Sequence, residues 1–180
     1  NYESSLDAAT NHDDSNVKVY ETLLKELDKN LYLNHEYMEL KAKLLGKEKV
    51  HMYDVYVNTL DVENKKIEYE EAKETVLAGL APMGEEYVDK LKHAFENNWL
   101  DVYTSDNKMS GAYSMGIHSV HPFVLLNYIN SSRDVSTIAH ELGHSMHTYY
   151  SCKNNPYHYS HYRIFVAEVA STVNELLLDF

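Results

Sequence analysis

Apolar positions along most of this chain recur three and four residues apart, the spacing of helices with one buried face. Residues 1–15, rich in Ser, Asn, Asp and Thr and poor in apolar side chains, are the exception and are expected as loop. From Asn16 onward, Tyr20, Leu23, Leu24, Leu27 and Leu31 mark one helix, and residues 34–45 mark a second that stops at Gly46. Both stripes are expected in the core. Residues 53–60 alternate and are partly β-branched, which predicts an extended segment. Two more helices follow: residues 69–80, ended by Pro82 and Gly84, and residues 85–97, built on Tyr87, Val88, Leu91, Ala94 and Phe95. The acidic residues between positions 63 and 86 read as a solvated helix face without a ligand.

Beyond Asn98 the pattern changes. Residues 99–103 read as a strand, 105–108 as a polar turn, 110–117 as a strand holding Gly111 and Gly116, and 123–129 as a nearly continuous apolar strand. Either the two glycines allow close packing of backbones, or they belong to a sheet edge that pairs with an extended substrate. Helical spacing returns at Val135, Ile138, Ala139, Leu142, Met146 and Tyr149, after an N-cap signal in Ser131 and Asp134. A turn-rich link over 151–160 leads to a final helix over 161–180. That helix is expected to bury Val166, Val169, Ala170, Val173, Leu177 and Phe180 and to turn Glu168, Ser171, Thr172, Glu175 and Asp179 away from the core. The fold class is therefore mainly α with a small β-sheet (α+β). Residues 1–98 form a helical part, 99–130 a small sheet, and 131–180 the last two helices.

On the helix that starts after Ser131, the face opposite the apolar stripe carries His140, His144 and His147. His140, Glu141 and His144 form H-E-x-x-H. Residues four apart on a helix are stacked neighbours, roughly 5–6 Å apart at Cβ, so two imidazoles can meet one zinc ion at about 2.0–2.1 Å each. Glu141 projects from an adjoining sector, where it can act on water beside the ion without displacing it. Such a site needs a third protein donor. His147 is seven residues from His140, about 10 Å along the axis, too far to join the same ion, and suits a supporting or substrate-facing role. Glu168 and Glu175 are both candidates, and spacing alone does not choose between them. His118 and His121, flanking a turn, are read as non-ligands.

Composition narrows the alternatives. A formal charge of −12 argues against a nucleic acid partner and against an anionic ligand. Cys152 is the sole cysteine, so no internal disulfide can form, and a reducing, cytoplasmic setting is expected. No apolar run approaches the ~18 residues of a membrane span, so no membrane partner is expected. The chain starts at Asn1 without a methionine and ends at Phe180 within an apolar pattern. An excerpt of a longer protein is expected, one that self-associates or associates with the missing remainder through exposed apolar surface.

Three blocks carry a resemblance. H-E-L-G-H-S-M-H at 140–147, F-V-A-E-V-A-S-T at 165–172, and S-G-A-Y-S at 110–114 followed by P-F-V-L-L-N-Y at 122–128 closely resemble the oligoendopeptidase F branch of the thimet oligopeptidase-like (M3) zinc peptidases. The resemblance implies a partial metallopeptidase catalytic domain over 1–180, with a zincin-like helix and a following glutamate-bearing helix. It implies one zinc ion on His140, His144 and Glu168, with Glu141 as general base. It also implies short unstructured oligopeptides as substrates, in a deep channel of a mainly helical fold. Ser171, Gly111 and Ala112 join His147 as supporting or substrate-facing candidates. The substrate-steadying His and Tyr of that family lie past the second block and have no counterpart in this chain. The rival expectations are a noncatalytic zinc-binding or assembly module and a structural helical domain.

Overall fold

Ser4 and Asn16 each offer a side-chain oxygen to a backbone N–H that no helical carbonyl can reach, and a helix begins after each. In the computed structural model, which describes residues 1–59 and 65–179, Ser4 accepts from Asp7 N–H at 3.0 Å and starts α1 (Ser5–His12). That helix replaces the loop expected over residues 1–15. Capping groups, rather than apolar content, produce it. Asn16 accepts from Lys18 N–H at 2.8 Å and starts α2 (Val17–Leu44). α2 is one helix where two were expected, because no Gly or Pro interrupts it before Gly46, whose φ of +65° sits just past its end.

The apolar stripe of α2 is not core. Leu23, Leu27 and Leu31 are all at least half exposed, and only Lys41 and Ala42 of this helix are buried. Periodicity marks an amphipathic face without saying what covers it. The segment expected to be extended from residue 53 is instead a 3-10 turn at Met52–Asp54, where buried Asp54 accepts from His51 N–H at 3.0 Å and pairs with Lys47. Residue 60, the end of that expected segment, lies outside the described residues. Chain contacts divide at this point, giving one unit over 1–63 and another over 64–180.

The second unit contains the core. α3 (Tyr69–Gly79) and α4 (Glu85–Glu96) are separated by a 3-10 turn holding Pro82 and by Gly84 at φ +92°. Their buried residues are Ala72, Val76, Leu91 and Ala94. Three strands follow: β1 (Leu100–Tyr103), β2 (Tyr113–Met115) and β3 (Phe123–Tyr128). They lie in the order β1-β3-β2, with β1 parallel and β2 antiparallel to the central β3. β3 buries alternate residues, Val124, Leu126 and Tyr128, so one face of the sheet packs on the helices. β2 is shorter than the strand expected over 110–117. Gly111 turns the chain at φ +91°, and Gly116 lies where an added Cβ would meet Thr148 Cγ2 at 2.0 Å.

After β3, Ser131 caps α5 (Ser132–Asn154) in a capping box. Ser131 Oγ accepts from Asp134 N–H at 3.2 Å, and the Asp134 carboxylate accepts from Ser131 N–H at 2.8 Å. Val135, Ile138, Ala139, Leu142 and Met146 are buried, as the expected stripe requires, while Tyr149 at its end is only partly buried. α5 runs to Asn154, well into the expected link, and the rest of that link includes a 3-10 turn at Tyr157–Tyr159. α6 (Ile164–Leu178) starts later than expected and packs through another face than expected. Its buried residues are Ala167, Ser171 and Asn174, while Val166, Val169 and Val173 are exposed. Phe180 lies outside the described residues. Small side chains let α6 approach α5 closely, and this selects the buried face over the more apolar one. No described helix is long and apolar enough to cross a membrane.

Ile138 is fully buried in this core. Ile138→Ala is expected to cost about 2–5 kcal/mol, read from the midpoint of urea unfolding.

Candidate metal centre

α5 sets His140 and His144 one turn apart, and their rings meet edge to face with Nε2 atoms 3.1 Å from each other. α6 supplies the third side of the cluster. Glu168 Oε2 lies 3.6 Å from His140 Nε2 and 3.6 Å from His144 Nε2. Donors about 2.0–2.1 Å from a zinc-sized ion at tetrahedral angles stand roughly 3.3 Å apart. The three observed edges bracket that separation. Among the described residues this is the one group of three such donors close enough to hold a metal. Two neutral imidazoles and one carboxylate are donors that suit zinc.

Two groups hold these donors in place. Ser171 Oγ donates to Glu168 Oε2 at 2.9 Å. His140 Nδ1 lies 2.6 Å from Glu175 Oε1. The helices themselves are joined by Asn174, whose Nδ2 donates to Ala139 C=O at 3.0 Å while its Oδ1 accepts from Tyr87 OH at 2.9 Å. At Gly143 an added Cβ would stand 2.7 Å from Ser171 Cα and 2.8 Å from Ala170 O, so only glycine permits this helix spacing.

Glu141 is 6 % exposed, next to His140 in the sequence and close to β2. Burial pushes its carboxyl above the usual carboxylate range. The negative charges of Glu168 and Glu175 push the same way, against His140 and the Ser114 backbone N–H. A Ser114 Oγ to Ser145 Oγ bond of 2.8 Å ties β2 to α5 here. Burial lowers the His144 pKa, against the pull of Glu168, and so favours the neutral ring that binds metal.

Other candidates are placed elsewhere. His147 stacks on Tyr162 with ring centroids 3.6 Å apart, and its pKa is lowered by burial and by His144. Tyr162 OH is 2.6 Å from Thr148 Oγ1. Gly111 and Ala112 line a cavity of about 340 Å³ with Asn127, Arg133 and Thr137, and none of the three donors lines it. His118 Nε2 lies 3.2 Å from Asn155 O, and His121 stacks on Trp99. Sequence reasoning missed Asn174 and Tyr87 as tethers. The one signal was an Asn three residues after Ser171 and seven after Ala167, at the spacing of a buried face.

Two outcomes follow from this geometry. Gly143→Ala drives a methyl group into the α6 backbone and is expected to cost about 1–3 kcal/mol, read by chemical denaturation. Because the folded Glu141 carboxyl keeps its proton to higher pH than the unfolded chain does, its contribution to stability falls as pH rises through that raised value. In metal-free protein, Glu141→Gln is therefore expected to melt at or above wild type at pH 7, with the difference closing at about pH 4. A lower melting temperature for the variant at pH 7 contradicts this.

The family model for peptidase family M3 matches residues 1–179. Oligopeptidase PepF of Bacillus subtilis is 46 % identical over 177 residues, which are 98 % of this chain and 26 % of that protein. An oligoendopeptidase F homologue of Lactococcus lactis is 41 % identical over 177 residues, 98 % of this chain and 29 % of its own length. A solved structure of a Chlamydophila abortus protein assigned as a peptidase superposes with a TM-score of 0.81 at 44 % identity, covering 98 % of this chain and 30 % of that one. The chain thus spans less than a third of the length of these relatives. With the donor cluster formed by the two matching sequence blocks, and the match running along nearly all of its length, the chain belongs to peptidase family M3.

Proposed function

We propose that this chain carries the catalytic centre of a zinc-dependent endopeptidase that cleaves short, unstructured peptides, with His140, His144 and Glu168 holding one ion and Glu141 as general base. The observation that carries this reading is the triangle of donors at 3.1, 3.6 and 3.6 Å, with the buried Glu141 carboxyl on the same helix. The names of the relatives, oligopeptidase and oligoendopeptidase, support peptides as the substrate class.

A zinc ion held there supplies Lewis acidity towards the scissile carbonyl and lowers the pKa of water towards about 7. Glu141 takes a proton from the attacking water as its oxygen bonds to the carbonyl carbon. It then delivers that proton to the amide nitrogen as the C–N bond breaks, leaving a carboxylic acid and an amine. Burial raises the proton affinity of Glu141, which suits a group that must take a proton and give it back. Ser171 steadies Glu168 through its hydroxyl. Among the described residues β2 is the outer strand of the sheet, and it is tied to α5 beside Glu141, so an extended peptide can pair along its outer edge, with Gly111 and Ala112 leading into it. His147 serves as a supporting or substrate-facing group beyond the ligand set.

The complete protein tests this with a quenched fluorescent oligopeptide and metal analysis. Glu141→Gln is expected to keep one zinc per chain and to lose turnover by at least roughly 10²- to 10⁴-fold. Glu168→Ala is expected to lose the zinc. Wild-type turnover in Glu141→Gln removes that residue from the mechanism, and full zinc content in Glu168→Ala removes it from the ligand set.

A further inference from the structure

A histidine that gives one nitrogen to a metal leaves the other to be held by something else. At His140 that second nitrogen is not free. Its Nδ1 lies 2.6 Å from Glu175 Oε1, while its Nε2 lies 3.6 Å from Glu168 Oε2. Glu168 and Glu175 are seven residues apart on α6, so one helix contacts both nitrogens of a single imidazole. We propose that Glu175 is a positioning residue of the metal centre: it accepts the Nδ1–H of His140 and so fixes that ring with its Nε2 lone pair towards the point shared with His144 and Glu168. The inference rests on the peptidase reading above and gives a role to a side chain outside its ligand set.

A neutral imidazole carries its proton on either nitrogen, and rotation about its terminal torsion is broad and roughly two-fold. Only one combination of tautomer and rotation presents a lone pair at Nε2 to the shared point. An ionised carboxylate only accepts hydrogen bonds, so Glu175 against Nδ1 selects the tautomer that is protonated there. A half-turn of the ring would set a carbon against Glu175 and forfeit a charge-assisted bond. Glu175 therefore chooses both the tautomer and the rotamer. It stands about 10 Å from Glu168 along the helix axis and meets the ring at the nitrogen that faces away from the triangle, which separates its role from that of a ligand.

The contact is also held in register. Asn174 is 1 % exposed and donates to Ala139 C=O at 3.0 Å. Ala139 and His140 are adjacent on α5, as are Asn174 and Glu175 on α6. The tether between the first members of each pair fixes the second members opposite one another, and Tyr87 OH on Asn174 Oδ1 at 2.9 Å keeps the amide from turning.

Zinc affinity of the complete protein, measured by competition with a chromogenic chelator, tests the role in wild type, Glu175→Ala and Glu175→Gln. Glu175→Ala is expected to bind one zinc roughly 10- to 100-fold more weakly. Glu175→Gln, whose amide oxygen still accepts Nδ1–H, is expected to lose less. Cobalt(II)-loaded Glu175→Gln is expected to keep the visible absorption of wild type, because the ligands are the same, and its metal-free melting temperature is expected to match. Undiminished zinc affinity in Glu175→Ala overturns the positioning role and leaves the peptidase reading intact. A changed cobalt spectrum in folded Glu175→Gln overturns it in favour of direct ligation. A folded wild-type protein that binds no zinc overturns the peptidase reading itself.

Discussion

The close approach of α5 and α6 is the constraint on which the donor cluster depends. Gly143 on one helix faces the Ala170 and Ser171 backbone on the other, at a spacing that a methyl group would breach. Three buried residues of α6, Ala167, Ser171 and Asn174, line the contact. Two small side chains and a tethered amide replace the bulky apolar layer usual between helices. A wider spacing would draw Glu168 away from both histidines, since a glutamate has limited reach. Steric fit at one glycine thus sets an electrostatic arrangement one turn away.

That arrangement concentrates charge. Glu141, Glu168 and Glu175 surround two imidazoles, and the burial that makes His144 less basic also raises the pKa of Glu141. A metal cation held among these donors would relieve the repulsion between carboxylates, which ties the site's electrostatics to its occupancy. The core under α5 is ordinary by contrast. Ile138, Leu142 and Met146 pack against α3, α4 and the sheet, giving the rigid base on which the opposite helix face can present polar groups.

Much of this was legible in the sequence where local chemistry decides the outcome. The Ser131–Asp134 cap, the buried stripe of α5, the helical spacing of α3 and α4 and the apolar run of β3 are short-range features, and each predicts an element close to where it lies, whereas the alternation over 53–60 does not. The failures share a cause. α1 depends on a Ser4 cap rather than on hydrophobicity, and α2 shows a periodic face whose leucines are exposed. α6 presents its valines outward and buries Ser171 and Asn174, an inversion that follows from the close approach at Gly143 and the Asn174 tether. Periodicity reports that a face exists, whereas its partner is set by distant residues. The same limit left Glu168 and Glu175 equivalent by spacing. In the fold they differ in the nitrogen of His140 that each one meets.

In the proposed centre, α5 and α6 bring two imidazole nitrogens and one carboxylate oxygen to a single zinc ion. X-ray diffraction from zinc-loaded crystals of the complete protein, collected on both sides of the zinc absorption edge, tests it most directly. One anomalous peak is expected about 2.0–2.2 Å from His140 Nε2, His144 Nε2 and a Glu168 carboxylate oxygen, with Glu175 on His140 Nδ1 and off the ion. A peak bonded to Glu175 instead, or an ion site from which Glu168 is turned away, would contradict it.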